Sequence, residues 1–304
     1  MLHPFLKMNG AGNDFVVLDA RARPVRLTAA QVKEIAARTN PKTHGCDQVI
    51  VMESADDADV FMRIYNADGS EVDACGNATR CVAGILEEEL QRLPVTIRTN
   101  AGLLQGLQKA FSEEGDEYIL VDMGAPKFAW QDIPLALPIA EAEVAIQNQL
   151  ASLIPNPESL IPHFVSMGNP HVVFFLRFTP DDFTRGEDAP LFDLAFNTIG
   201  PALENAAGIF PERANVSIAL LRAASDGKGH IINARVWERG AGLTQACGTA
   251  ACAMLAAANK LDDSIESAVI WFEPFGTMVT TQMENGRVLL GGPVETDFEG
   301  MLHV

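Results

Sequence analysis

Residues Ala74-Cys75-Gly76-Asn77-Ala78-Thr79 and Ala246-Cys247-Gly248-Thr249-Ala250-Ala251 are two copies of one short stretch, with the cysteines 172 residues apart. Each copy follows a short alternating run of strand character. Each opens a run rich in Ala, Val, Ile and Leu that reads as a helix. Both cysteines are therefore expected where a strand feeds a helix N-terminus. Backbone N–H groups without intrahelical partners and the positive end of the helix dipole converge at such a point. There a thiol pKa is expected to fall from about 8.5 into the range of roughly 3.5–7.5.

The repetition extends outward from the cysteines. Arg63-Ile64-Tyr65-Asn66 corresponds to Arg235-Val236-Trp237-Glu238, and Gln48-Val49-Ile50 to Asn215-Val216-Ser217. Met8 to Val17 corresponds to Met167-Gly168-Asn169-Pro170-His171-Val172-Val173, which sets His171 opposite Phe15. A period this long excludes a solenoid. The reading is an α+β chain of two pseudo-symmetric domains from an internal duplication. Each is expected to be a mainly antiparallel sheet wrapped around a central helix, with an active site in the cleft between them. The domains are expected at 1–124 plus 293–304, carrying Cys75, and at 125–292, carrying Cys247. The second helix, Gly248 to Leu261, is small and apolar all round, which calls for complete burial inside a sheet.

Other elements follow from local pattern. The first strand is expected at Phe15–Leu18, after Lys7 to Asp14. A helix is expected over Thr28–Arg38 with Thr28 as its cap, and strands at Gln48–Met52 and Asp59–Tyr65. The helix after Cys75 runs to Leu90. Strands follow at Val95–Arg98, Gly102–Leu107 and Tyr118–Val121, and near Ile270, Met278 and Val288. The proline-rich stretch from Phe128 to Pro162 reads as the connection between halves, with one helix inside it and room for a strand of its own.

The chain has 304 residues and a formal net charge of −18, which disfavours binding to nucleic acid and to anionic lipid. No secretory leader pattern and no long apolar span is legible, so the expectation is a cytoplasmic protein with neither nucleic-acid nor membrane partners. Five cysteines, odd in number and without Cys-x-x-Cys spacing, do not make a disulfide scaffold or a zinc site, and no metal is expected.

Two such helix starts suit one anionic small molecule. The backbone N–H groups of Gly76, Asn77, Gly248 and Thr249 could hold an amino-acid α-carboxylate, on which charge builds as the α-proton leaves. A thiolate on one face and a thiol on the other would take a proton from one side and return one on the opposite side, inverting the centre. No lysine is evidently placed for a pyridoxal Schiff base, so no cofactor is expected.

These motifs resemble those of the diaminopimelate epimerases. The matching stretches are Met8 to Val17, Asp47-Gln48, Arg63 to Cys81, Met167 to His171, Phe210 to Val216 and Glu238-Arg239-Gly240-Ala241-Gly242 through Ala253. The resemblance implies a cofactor-independent epimerase that interconverts LL- and meso-2,6-diaminopimelate, supplying lysine and peptidoglycan precursors, and working as a homodimer. It implies Cys75 and Cys247 as the acid/base pair, with His171 and Glu238 tuning or positioning the centre. It implies substrate contacts at Asn13, Gln48, Asn66, Asn169, Asn215, Glu238 and Arg239, with Gly76, Asn77, Gly248 and Thr249 on the reacting carboxylate. Arg239 suits a distal carboxylate and Glu238 a distal ammonium. Two other readings stay open. One is a racemase of the same fold acting on proline or another amino acid. The other is a dithiol redox protein, which would have no use for a carboxylate grip.

Overall fold

The computed structural model describes residues 2–73, 75–111, 117–176, 196–224, 229–272 and 276–304. Ala74 of the first motif lies outside them. The chain divides into two compact units, Met1–Met123 with Leu290–Val304, and Gly124–Leu289.

The first unit begins with strand β1 (Leu2–Gly10) and β2 (Asn13–Asp19), which form an antiparallel hairpin. Its two-residue turn, Ala11-Gly12, has φ of 57° and 83°, the left-handed pair that such a hairpin requires and that glycine accepts without strain. Helix α1 (Ala29–Ala36) starts at Thr28, whose hydroxyl accepts from the Gln31 amide while the Gln31 side chain accepts from the Thr28 amide, a capping box. Strands β3 (Gln48–Glu53), β4 (Val60–Asn66) and β5 (Glu71–Val72) lead to helix α2 (Gly76–Leu90). Then come β6 (Val95–Thr99), β7 (Gly102–Phe111) and β8 (Glu117–Asp122). Helix α2 packs on β1, β6, β7 and β8. On the other side, α1 covers a core that includes Phe5, Val16, Leu18, Val49 and Val51.

The second unit adds helix α3 (Ile139–Leu150) in the proline-rich connection, followed by β9 (Leu160–Ser166) and β10 (Pro170–Leu176). Helix α4 (Phe196–Glu204), β11 (Asn215–Ala223), β12 (His230–Glu238) and β13 (Gly242–Thr244) lead to helix α5 (Gly248–Leu261). Strands β14 (Ser267–Phe272) and β15 (Gly276–Gln282) follow. Helix α5 is buried at Gly248 and from Ala250 through Ala258 and packs on β9, β10, β11, β14 and β15. Helices α3 and α4 cover a second core centred on Phe164, Phe174, Phe210, Val216 and Ile218. Strand β16 (Val288–Gly291) spans the unit boundary, and β17 (Glu295–His303) belongs to the first unit, where it pairs antiparallel with β1.

The duplication is visible in the pairing. In the first unit β1–β2, β3–β4, β4–β5 and β6–β7 are antiparallel while β2–β3 and β4–β6 are parallel. In the second unit β9–β10, β11–β12, β12–β13 and β14–β15 are antiparallel while β10–β11 and β12–β14 are parallel. Register agrees to the residue. Phe15 faces Gln48 as His171 faces Asn215, and Ile64 faces Val72 as Val236 faces Thr244. The sequence correspondence around the two cysteines is thus a correspondence in space.

Three elements not expected from pattern are β1, β17 and α4. Strand β1 precedes the strand expected first, and its inward positions are His3, Phe5 and Lys7, two of them polar. His3 donates to the Asp19 carbonyl, and Lys7 pairs with Asp14 and the Gly45 carbonyl. These partners let polar side chains occupy a core face and erase the apolar alternation. Strand β17 is largely exposed, and its inward positions, Phe298, Gly300 and Leu302, are interrupted in sequence by a glycine and flanked by the exposed Met301, so no apolar alternation is legible. Helix α4 holds an interior Pro201, a local signal against helix.

Candidate active site

In the first unit Cys75 caps α2 with an extended backbone, φ −149° and ψ 114°, and its side chain makes no capping bond. The Thr79 amide is the first to reach back, to the Cys75 carbonyl, so the amides of Gly76, Asn77 and Ala78 stand outside the intrahelical ladder. Gly76 is closely approached by two flexible side chains. A Cβ there would lie 2.8 Å from Met123 Cε and 3.1 Å from Leu290 Cδ2. The Asn77 side chain accepts from Arg80, which is itself fully buried and also donates to the Pro293 carbonyl. Asn77 therefore offers its backbone amide rather than its side chain.

Asn13, at the start of β2, is brought to the thiol. Its Oδ1 lies 3.9 Å from Cys75 Sγ, and its Nδ2 donates to Asp47 at 2.8 Å. Asp47 also accepts from the Asp14 amide. Arg38 bridges Asp14 and Asp47, and with Lys7 it holds the Asp14 carboxyl down at about 2 against the effect of burial. Burial pushes Asp47 the other way, upward, and the Asp14 charge adds to that. This charged support for Asn13 was not read from the sequence. Its members lie in β1, β2, the turn after α1 and the loop before β3, and only the fold collects them. Gln48 and Asn66 face each other across β3 and β4 and are joined by a 3.0 Å bond from Gln48 Nε2 to Asn66 Oδ1. Gln48 Oε1 is buried and unpartnered.

In the second unit Cys247 caps α5 in nearly the same backbone conformation, φ −135° and ψ 117°. The Ala251 amide closes the first helical bond to the Cys247 carbonyl. Cys247 Sγ is 3.4 Å from Thr249 Oγ1, which accepts from Asn169 Nδ2 at 3.3 Å. Asn169 Oδ1 lies 2.9 Å from His171 Nε2, and Asn215 Nδ2 lies 3.4 Å from the same nitrogen. Burial, and then the Arg239 charge, lower the His171 pKa to about 3, and the ring is neutral at ordinary pH. Its Nδ1 is buried without a partner. His171 thus belongs to the chain that holds Asn169 and Thr249 beside the thiol, and it cannot serve as a charged acid.

Thr244 donates to Glu238, and the Glu238 carboxylate lies against Cys247. The expected depression of the thiol pKa fails for Cys247. Burial, and next the Glu238 charge, push it well above its ordinary value, and the Thr249 hydroxyl and Ala250 amide offset only part. A helix dipole acts on a charged group, but the thiolate must first be taken out of water, and here desolvation is the larger effect. Asn215 is buried and held at both ends. Its Oδ1 accepts from the Arg239 amide at 2.8 Å and its Nδ2 donates to the Pro170 carbonyl at 3.3 Å. The exposed Arg239 side chain bonds the Glu212 carbonyl at 3.1 Å. Among the described residues no cluster of His, Cys, Asp and Glu could hold a metal ion, and no helix is long and apolar enough to cross a membrane.

The diaminopimelate epimerase family model matches residues 5–129 and 163–295. The chain belongs to the diaminopimelate epimerase family. The unmatched segment between those ranges carries α3, in the proline-rich connection. A diaminopimelate epimerase of Acidiphilium cryptum is 48% identical over 299 residues, which is 98% of this chain and 96% of that relative. One from Phenylobacterium zucineum is 41% identical over 304 residues, 99% of this chain and 98% of that one. Membership makes the protein an isomerase acting on an amino acid. The α+β fold extends to solved structures of low identity. A phenazine biosynthesis protein of the PhzF family from Bacillus anthracis matches with a TM-score of 0.60 at 18% identity over 100% of both chains. A protein from Agrobacterium radiobacter described as a probable proline racemase matches with a TM-score of 0.59 at 15% identity, over 99% of this chain and 93% of that one.

Proposed function

We propose that this diaminopimelate epimerase family member interconverts LL- and meso-2,6-diaminopimelate with Cys75 and Cys247 as its two bases. One observation carries the reading. The two cysteines cap helices that hold the same topological place in the two units, each leaving first-turn amides outside the helical ladder. The amides of Gly76, Asn77, Gly248 and Thr249 then receive the reacting carboxylate and stabilise the charge that develops there. Protonated Cys247 supplies a proton to one face while the thiolate of Cys75 removes one from the other, and the roles exchange in the reverse direction. Asn13 orients Cys75, and Thr249, Asn169 and His171 orient Cys247. Gln48 Oε1, Asn66, Glu238 and Arg239 supply the acceptors and the cation that a second amino-acid head requires. A substrate without that head would leave those groups unpaired, which supports diaminopimelate over proline. Family membership also leads us to propose a cytoplasmic homodimer that needs no cofactor.

Proton NMR in deuterium oxide tests the reading. Reduced protein should replace the α-proton of LL-2,6-diaminopimelate with deuterium and form the meso isomer, and Cys75→Ser and Cys247→Ser should each abolish turnover. Exchange of proline but not diaminopimelate would transfer the assignment to a different racemase. No exchange with either substrate, from folded and reduced protein, would remove the two-base role and put a redox role for the thiols first.

A further inference from the structure

Glu204, the last residue of α4, is 3% exposed and carries a carboxylate that the mechanism above does not use. Burying a carboxylate is costly unless its oxygens are met by donors. Here they are met by three. Trp237 Nε1 donates to Oε2 at 2.7 Å, the Gly240 amide donates to Oε1 at 2.7 Å, and Arg213 forms an ion pair with Oε1. One turn earlier, Gly200 lets the Trp237 indole lie against the helix, since a Cβ there would sit 2.6 Å from ring carbons.

The donors come from two segments that meet at Arg239. Trp237 and Gly240 bracket Glu238 and Arg239. Arg213 lies between Glu212, whose carbonyl accepts from the Arg239 guanidinium, and Asn215, whose side chain accepts from the Arg239 amide. Arg213 and Gly240 both sit at positive φ, 62° and 82°, so neither segment is in a relaxed extended state. One carboxylate thus ties together the two stretches that place Arg239. Glu238 has separate anchors, the Thr244 hydroxyl and its strand pairing with Gly242.

We infer that Glu204 is a positioning residue for substrate recognition, holding Arg239 where it meets the distal carboxylate. This rests on the reading of Arg239 as the distal grip. Loss of the clamp leaves the Trp237 indole and the Gly240 amide without their shared acceptor and frees the segment, so it weakens a contact made equally in the ground and transition states. Such a loss appears in KM rather than kcat.

The test uses the full, reduced enzyme with LL-2,6-diaminopimelate. Glu204→Ala should raise KM about tenfold or more with kcat changed less than about threefold, and Glu204→Gln, which keeps one acceptor oxygen, should fall between. Leu203→Ala removes a buried apolar side chain from the same helix without touching the carboxylate. It should lower the thermal midpoint yet leave KM within about twofold. The Trp237 indole N–H resonance should move upfield in Glu204→Ala, and the Gly240 amide should exchange faster with solvent. An unchanged KM in Glu204→Ala, or an equal rise in Leu203→Ala, overturns the inference. Failure of the substrate reading shows instead as no α-proton exchange in the wild type, and the indole and amide signals then still report whether the clamp exists.

Discussion

Gly200 lies in the interior of α4, and replacing it with alanine sets local against tertiary physics. Helix propensity alone favours Gly200→Ala by about 1 kcal/mol. The new methyl, however, would sit 2.6 Å from both Cγ and Cδ2 of Trp237, atoms of a rigid ring. Overpacking of this kind costs roughly 1–3 kcal/mol. Moving the indole away also weakens its 2.7 Å bond to the buried Glu204 carboxylate, a charged-acceptor bond of about 1.5–3 kcal/mol. Taking about 2 kcal/mol for each loss and subtracting the propensity gain leaves a net destabilisation of about 3 kcal/mol. A domain of 150–250 residues shifts by about 2–4 °C per kcal/mol, so the thermal midpoint of the second unit should fall by about 6–12 °C. Calorimetry and urea denaturation of the full chain would measure it. In a Trp237→Ala background the clash is gone, and Gly200→Ala should then gain about 1 kcal/mol, which makes the pair strongly coupled. A Gly200→Ala protein as stable as the wild type, or one whose penalty persists without the indole, would refute this account of α4.

Two further outcomes follow from the second unit. Glu238→Gln should lower the titration midpoint of Cys247 and Thr249→Val should raise it, because the carboxylate opposes the thiolate and the hydroxyl supports it; thiolate absorbance of each variant against its Cys247→Ser counterpart reads the midpoint, and shifts in the opposite directions would sink the reasoning. His171 is neutral down to about pH 3 in the folded chain, while its ordinary pKa is 6.5, so its contribution to stability is complete above pH 6.5 and is lost as the pH falls toward 3; replacing it with phenylalanine, the residue at the equivalent Phe15, should flatten the urea midpoint against pH over that window, and an unchanged slope would count against a buried neutral imidazole.

The elements read correctly from sequence are those whose signal is local. Thr28 and Gln31 sit at capping-box spacing, and α1 starts there. The run that opens at Gly248 is small and apolar on every side as far as Ala258, and α5 is buried at Gly248 and from Ala250 through Ala258. The two Cys-Gly stretches and their flanking strands are legible because duplication writes the same pattern twice, and the strand registers preserve it. Strand β1 was missed because His3 and Lys7 occupy core positions that only distant partners, Asp19, Asp14 and the Gly45 carbonyl, make tolerable. Helix α4 was missed because Gly200 and Pro201 are local arguments against a helix, and packing against Trp237 overrules the first of them.

For the candidate site, sequence alone named the two thiols, the helix N-termini and the polar set, since each belongs to a short contiguous motif. It misjudged the state of Cys247. A position at a helix start is local information, but the desolvation and the Glu238 charge that raise the thiol depend on what the folded chain packs around it. The same holds for the supports behind the site. Asp47 beneath Asn13 and Glu204 beneath Arg239 are ordinary acidic residues in the sequence. They acquire a role only when segments far apart in the chain bring donors to one carboxylate, and that is a property of tertiary structure alone.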